Sequence, residues 1–304
     1  MSTTELLHLV GSSWVIPGPT NIGMVERDGG VYLIDSGNDK DAGRKVNKLL
    51  SEKGWKLLGI VNTHSNADHI GANDYFQRMT NCRIFATKTE KAFIESPQLE
   101  GAFLWGGYTP NEMKNKFFEA KPSHVTDLID ADTEILPGLR AIPLPGHYFE
   151  MVGIMTDDRV AYLGDAMFGT AILEKHPIPY IYDLARYRET IERIESLDAD
   201  YFVISHGDVE RNIQSLAALN LQRVADIEGY IMEALTAHRG DSLAPSGQAF
   251  EDILSYVCDK MGVALDVGQY ALTGTTIRSF LSYLSNSGRI VYQFADNKMY
   301  WTIK

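Results

Sequence analysis

An apolar segment, Leu57-Leu58-Gly59-Ile60-Val61, runs almost directly into Thr63-His64-Ser65-Asn66-Ala67-Asp68-His69. A short continuous apolar run bounded by polar residues reads as a buried strand. Loops at the ends of buried strands are where α/β proteins collect their chemistry. The chain must therefore fold so that a loop with four nitrogen- or oxygen-bearing side chains (His64, Asn66, Asp68 and His69) stands at a sheet edge. His64 and Asn66 share a side of an extended segment, while the adjacent Asp68 and His69 point apart. One loop can thus serve two neighbouring ions. Asn66 is the odd member, because a neutral amide oxygen is a poorer partner for a transition metal than an imidazole.

Three more metal-type residues follow strand-like segments. His147 follows Leu144-Pro145-Gly146, Asp165 follows Leu163-Gly164, and His206 follows Ile204-Ser205 and precedes Gly207. With the first loop they supply four imidazoles and two carboxylates. Imidazole with carboxylate suits zinc, iron or manganese in an open, water-containing site. His8, His124, His176 and His238 lack such a context and read as surface or packing residues.

The surrounding chain alternates strands and helices. Short strands are expected within residues 8–36, ending in Val31-Tyr32-Leu33-Ile34 and Asp35-Ser36-Gly37. A helix is expected over 40–53, with Val46, Leu49 and Leu50 on one face. Another begins near Ile70, before the strand Arg83-Ile84-Phe85-Ala86; residues 96–123 show no clear pattern, with Gly106-Gly107-Tyr108-Thr109-Pro110 as loop punctuation next to Leu104-Trp105. Short strands follow between 134 and 163, then a helix over 183–196 and a strand at 201–204. Past His206 come helices near 210–238, 249–262 and 275–286, then a hairpin turning at Ala295-Asp296-Asn297.

The order of these motifs resembles the metallo-β-lactamase superfamily of hydrolases over roughly residues 5–210. The resemblance implies an α/β fold, a four-layer αβ/βα sandwich. The family's loop is usually His-x-His-x-Asp-His, and this chain departs from it at Asn66. The resemblance implies one site from His64, position 66 and His147, a second from Asp68, His69 and His206, and Asp165 bridging the two. It also implies a metal-held hydroxide that attacks an acyl or phosphoryl centre, oriented by Asp68 as catalytic residue. Asp35 resembles a position that supports the metal loop from behind. Asn66 offers at most a weak ligand, so one ion is expected to be held firmly and the other weakly. Zinc is the expected metal, with iron and manganese as alternatives. Trp105, Tyr108, Tyr148 and Phe149 are the candidates for contact with substrate.

The expected domains are 1–222, the metal-binding part, and 223–304, a small, mainly helical module resembling a winged helix. That module carries seven Lys and Arg against nine Asp and Glu. A nucleic-acid reader is normally basic, so a structural role is expected: covering the mouth of the site, or a homodimer contact. The net charge of −12 argues in the same direction against nucleic acid and anionic membranes. No apolar run is long enough to span a bilayer, and residues 1–5 lack the start of a signal peptide. Two distant cysteines, Cys82 and Cys258, fit core filling in a reducing cytoplasm. The leading expectation is a hydrolase of a small ester, thioester, lactone or amide. The alternatives are a nuclease of the lactamase-like type and a binding sensor in which Asn66 has ended catalysis.

Overall fold

The computed structural model describes residues 5–237 and 247–304. Residues 1–4, where a leader would begin, and His238 lie outside them.

Two sheets carry the metal-binding part. The first takes its strands in chain order: β1 (Leu7–Val10), β2 (Ser13–Ile16), β3 (Ile22–Arg27), β4 (Gly30–Ile34), β5 (Leu57–Val61), β6 (Arg83–Ala86) and β7 (Asp127–Leu128). It is antiparallel up to β4 and parallel from β4 to β7. The parallel crossovers are made by α1 (Lys40–Lys53), by α2 (Ala67–Ile70) with α3 (Asn73–Thr80), and by α4 (Lys88–Glu95) with α5 (Gln98–Trp105). Asp39 caps α1 by accepting from the amides of Asp41 and Ala42, a contact that contributes about 1 kcal/mol.

The second sheet contains β8 (Glu134–Leu136), β9 (Leu139–Pro143), β10 (Val152–Thr156), β11 (Val160–Tyr162), β12 (Tyr201–Val203) and β13 (Val209–Glu210), again in chain order. Between β11 and β12 lie α6 (Thr170–Lys175) and α7 (Leu184–Glu195). The inner faces of the sheets share one core: Val15, Val25, Ile34 and Val61 from the first meet Ala141, Val152, Ile154 and Tyr162 from the second. On the outer side of the first sheet, Val46 and Leu49 of α1 and Phe76 of α3 cover Met24, Leu33 and Ile60. Alternating strand faces and amphipathic helices thus give four layers, helix–sheet–sheet–helix.

The outer layer of the second sheet is shared with the C-terminal part. Helix α8 (Gln214–Ala237) runs unbroken through residue 222. After it come β14 (Gln248–Ala249), α9 (Phe250–Met261), α10 (Val267–Asn286), β15 (Ile290–Ala295) and β16 (Lys298–Ile303), with the strands ordered β14-β16-β15. One apolar cluster joins Ile191 of α7, Val224 of α8, Val257 of α9 and Phe280 of α10 to Leu144 and Leu163 of the metal-binding part. The described C-terminal residues are therefore packed into the same interior.

Several elements differ from the sequence-based expectations. Residues 96–123, which show no clear pattern in the sequence, contain α5, and α4 lies just before them. Helix α10 starts at Val267 rather than 275, because Asp266 caps it by accepting from the amide of Gln269. Both cysteines are free and buried. Among the described residues no helix is long and apolar enough to cross a membrane.

Candidate metal centre

The predicted metal-type residues meet at the same end of the two sheets. His64, Asp68 and His69 follow β5, His147 follows β9, Asp165 follows β11, and His206 follows β12. Glycines allow the close approach. Gly146 adopts φ +131, and a Cβ there would fall 2.4 Å from the Tyr187 backbone. Gly164 adopts φ +56, with Thr63 Oγ1 2.8 Å from where its Cβ would be. Glycine alone adopts such backbone without penalty, so these two positions let the loops of His147 and Asp165 close onto the β5 loop.

All four imidazoles are aimed by the same device. Each directs Nδ1 at an oxygen and turns Nε2 inward. His69 Nδ1 donates to Asp35 Oδ2 at 2.8 Å. His206 Nδ1 donates to the Pro19 carbonyl at 2.8 Å, and His147 Nδ1 to the Tyr180 carbonyl at 3.0 Å. For His64 the partner is Thr63 Oγ1, 3.0 Å away. Thr63 Oγ1 donates its own proton to Asp35 Oδ2 at 2.8 Å, so it accepts from His64. With Nδ1 donating throughout, Nε2 is the nitrogen each imidazole has available for a metal.

Asp35 ties the loop together. It accepts from the Thr63 amide as well as from Thr63 Oγ1 and His69 Nδ1, and it holds φ 63 to do so. Its carboxylate is spent on orientation of the loop.

The two halves of the centre differ in charge. His69 Nε2 lies 3.2 Å from Asp165 Oδ1 and 3.6 Å from Asp68 Oδ2. His206 Nε2 lies 3.0 Å from Asp68 Oδ2 and 3.4 Å from Asp165 Oδ2. Burial pulls both imidazoles down, but the surrounding carboxylates outweigh it: His69 is carried well above its usual range and His206 up to about 10. Asp68 and Asp165 are held below the carboxylate range despite their burial, by His69 and His206. On the other side, burial and neighbouring His69 hold His64 well below its usual value, and burial lowers His147. One half is a dense ionic pocket, and the other presents neutral nitrogens.

Among the buried side-chain atoms without a hydrogen-bond partner are His64 Nε2, His69 Nε2 and Asp165 Oδ1, the last two meeting only as an ion pair 3.2 Å apart. An unmet buried polar atom costs on the order of 1–3 kcal/mol. A cation would satisfy all three, and two ligand groups fit one each: His64, His147 and Asp165, and Asp68, His69 and His206. The donor set therefore fits a divalent transition metal.

The model of a known protein family, the metallo-beta-lactamase superfamily, matches residues 15–206. The chain belongs to the metallo-β-lactamase superfamily. A solved superfamily structure, a beta-lactamase domain protein from Burkholderia ambifaria, covers 100% of this chain and 95% of its own at TM-score 0.77 and 18% identity. A metallo-beta-lactamase family protein from Thermus thermophilus covers 96% and 99% at TM-score 0.71 and 17% identity. Both likenesses are of fold. A probable metallo-hydrolase of Bacillus subtilis is 29% identical over 140 residues, 45% of this chain and 60% of that protein. An atrochrysone carboxyl ACP thioesterase of Aspergillus fumigatus is 23% identical over 205 residues, 67% of this chain and 55% of that protein. The chain thus spans less than two thirds of the curated relatives it matches.

Within this superfamily member the aromatic candidates separate. Tyr148 is fully buried, its ring 6.0 Å from that of His64 and 6.4 Å from that of His147. Phe149 packs at 4.2 Å on Tyr182 and 5.0 Å on Phe103. Trp105 and Tyr108 are directed elsewhere. Trp105 packs on Tyr270 of α10, and Tyr108, 88% exposed, accepts from Lys114.

Several residues of the centre escaped sequence reasoning. Thr20 Oγ1 donates to Asp68 Oδ2 at 2.9 Å. Buried Glu90 accepts from the amide and hydroxyl of Ser65 and from the amide of Glu150. Buried Glu100 accepts from Asn66 Nδ2 at 2.8 Å. Thr87-Lys88-Thr89-Glu90 has the spacing of a capping box and could have marked α4. Its two end residues turn to other partners, since Thr87 Oγ1 donates to the Glu150 carbonyl. Ser96-Pro97 could likewise have marked the start of α5.

Proposed function

We propose that this protein is a metal-dependent hydrolase of a small ester, thioester, lactone or amide. One ion is held firmly by Asp68, His69 and His206 with Asp165, and a second more weakly on the side of His64, Asn66 and His147. The observation that carries the reading is the set of unpartnered, buried donor atoms at the meeting point of the strand ends. A bound divalent cation, zinc first and iron or manganese next, supplies Lewis acidity and acidifies a water. Asp68, fixed by Thr20 and His206, is placed to orient that water and take its proton.

The substrate side supports an acyl compound. Tyr148, Phe149, Phe103 and Tyr182 form a continuous aromatic wall from His147 outward. Phe103 and Tyr182 also line a groove of about 700 Å³ against α10, which adds Thr275, Arg278 and Tyr283. An apolar wall with a few polar groups suits a small organic substrate. The similarity to a thioesterase supports the thioester end of the range.

The test is hydrolysis of a panel of small acyl esters, thioesters, lactones and amides by protein as purified, chelated, and reconstituted with zinc, iron or manganese. Metal-dependent turnover of at least one class is expected. Full activity in chelated protein carrying no metal would overturn the reading.

A further inference from the structure

The loop residue that departs from the family pattern is not an idle substitution. The Asn66 amide is gripped at both ends: Nδ2 donates to Glu100 Oε1 at 2.8 Å, and Oδ1 faces His147 Nε2 at 2.9 Å. His147 Nδ1 already gives its proton to the Tyr180 carbonyl, 3.0 Å away. The Nε2 that meets the amide oxygen therefore carries a lone pair, and so does the oxygen. Two lone pairs facing at 2.9 Å are unfavourable alone, yet they are natural neighbours on one cation. Two ligand atoms each about 2.0–2.2 Å from one metal sit about 3 to 3.5 Å apart. His64 Nε2, buried and without a partner, belongs to the same group as His147 and Asp165.

We propose that Glu100 is a positioning residue for a His64–Asn66–His147 metal site, turning the Asn66 amide so that its oxygen, strengthened by the carboxylate behind it, serves as the third ligand. Burial pushes the Glu100 carboxyl well above its usual range in the metal-free protein; a cation held by His64 and His147 would favour its ionised form, which accepts hydrogen bonds and donates none and so fixes the amide nitrogen toward itself and the oxygen toward the imidazole. A carboxylate behind a metal-binding group also raises that group's basicity, as it does for histidine ligands. The weakness of an amide ligand is thereby partly offset by a residue from α5, more than thirty positions along the chain. The resulting nitrogen-and-oxygen set is harder than three imidazoles and shifts this half toward manganese or iron relative to zinc.

The inference rests on the proposed metal binding, and the experiment separates the two. Co²⁺ is titrated into chelated full-length protein, followed by visible absorption and by elemental analysis after gel filtration. Glu100→Gln keeps the shape and removes the charge. It is expected to weaken the second, weaker Co²⁺ step about 10- to 100-fold and to leave the first step within about threefold. In an Asn66→Ala background, Glu100→Gln is expected to change nothing further, because its effect runs through the amide. Glu100→Asp, which draws the carboxylate back from the amide, provides a second variant if Glu100→Gln does not fold, and is expected to weaken the same step. An unchanged second step in a folded Glu100 variant overturns the inference and leaves the hydrolase reading intact. An equal loss in the Asn66→Ala background also overturns it, since Glu100 would then act on the ion without the amide. Failure to bind any Co²⁺ overturns both.

Discussion

The two halves of the metal centre are built from the same loop and yet work by different physics. The half with Asp68, His69 and His206 is charged: two carboxylates and two imidazoles lie within 3.0–3.6 Å of one another. The half with His64, Asn66 and His147 presents three neutral side chains, with Asp165 as its one carboxylate. Coulomb attraction in a buried setting is strong, so the charged half is expected to hold a cation the more firmly once its imidazoles give up their protons. The other half would depend on geometry and, as proposed, on Glu100 behind Asn66. Replacing one ligand therefore need not abolish a two-ion centre. It can divide the centre into a strong part and a tunable part.

The comparison breaks most visibly at the residue common to both halves. Asp165→Ala is expected to release metal from both and to lower acyl hydrolysis about 10²- to 10³-fold, checked by metal content and turnover. Proton linkage comes next. His206 sits at about 10 in the metal-free protein, so below that value a metal must displace its proton. Affinity of the charged half should then rise as pH rises toward about 10, by up to about tenfold per unit per displaced proton. His64 and His147, lowered by burial, are already neutral near pH 7, so the other half should respond much less. Metal titrations at several pH values check both slopes.

Asn66→His sharpens the comparison from the weak side. Restoring an imidazole should tighten the second ion by about tenfold or more, some 1.4 kcal/mol, leaving the first unchanged; two-step Co²⁺ titration reads this. The smallest effect belongs to a residue outside the centre. Tyr108→Ala, at a position 88% exposed, should shift stability by less than about 0.5 kcal/mol and leave metal content and KM unaltered, measured by denaturant unfolding and kinetics.

Much of this was legible in the sequence because strand ends announce themselves. Apolar runs such as residues 57–61 end in polar turns, and the metal-type residues stand in those turns, so the residue order alone places His64, His147, Asp165 and His206. Less legible was everything that acts across the chain. Glu90 and Glu100 sit on α4 and α5, a stretch whose apolar pattern is broken by buried acids, and a buried acid reads as surface in a sequence. Thr20 reaches Asp68 through a turn with no periodicity to mark it. Trp105 and Tyr108 flank the glycine pair at 106–107, and the structure packs Trp105 on Tyr270 and places Tyr108 against Lys114 and solvent. The boundary is expected near 222, inside or beside the long helix, and α8 spans that position.

The central claim is a divided metal centre, and the most direct test counts its ions. Protein purified without added metal is freed of loosely held ions by gel filtration and analysed for zinc, iron and manganese. One retained ion per chain, with a second taken up only in a separate, weaker step of titration, is the predicted result. Two ions retained with equal tenacity, or none taken up at all, would contradict the account.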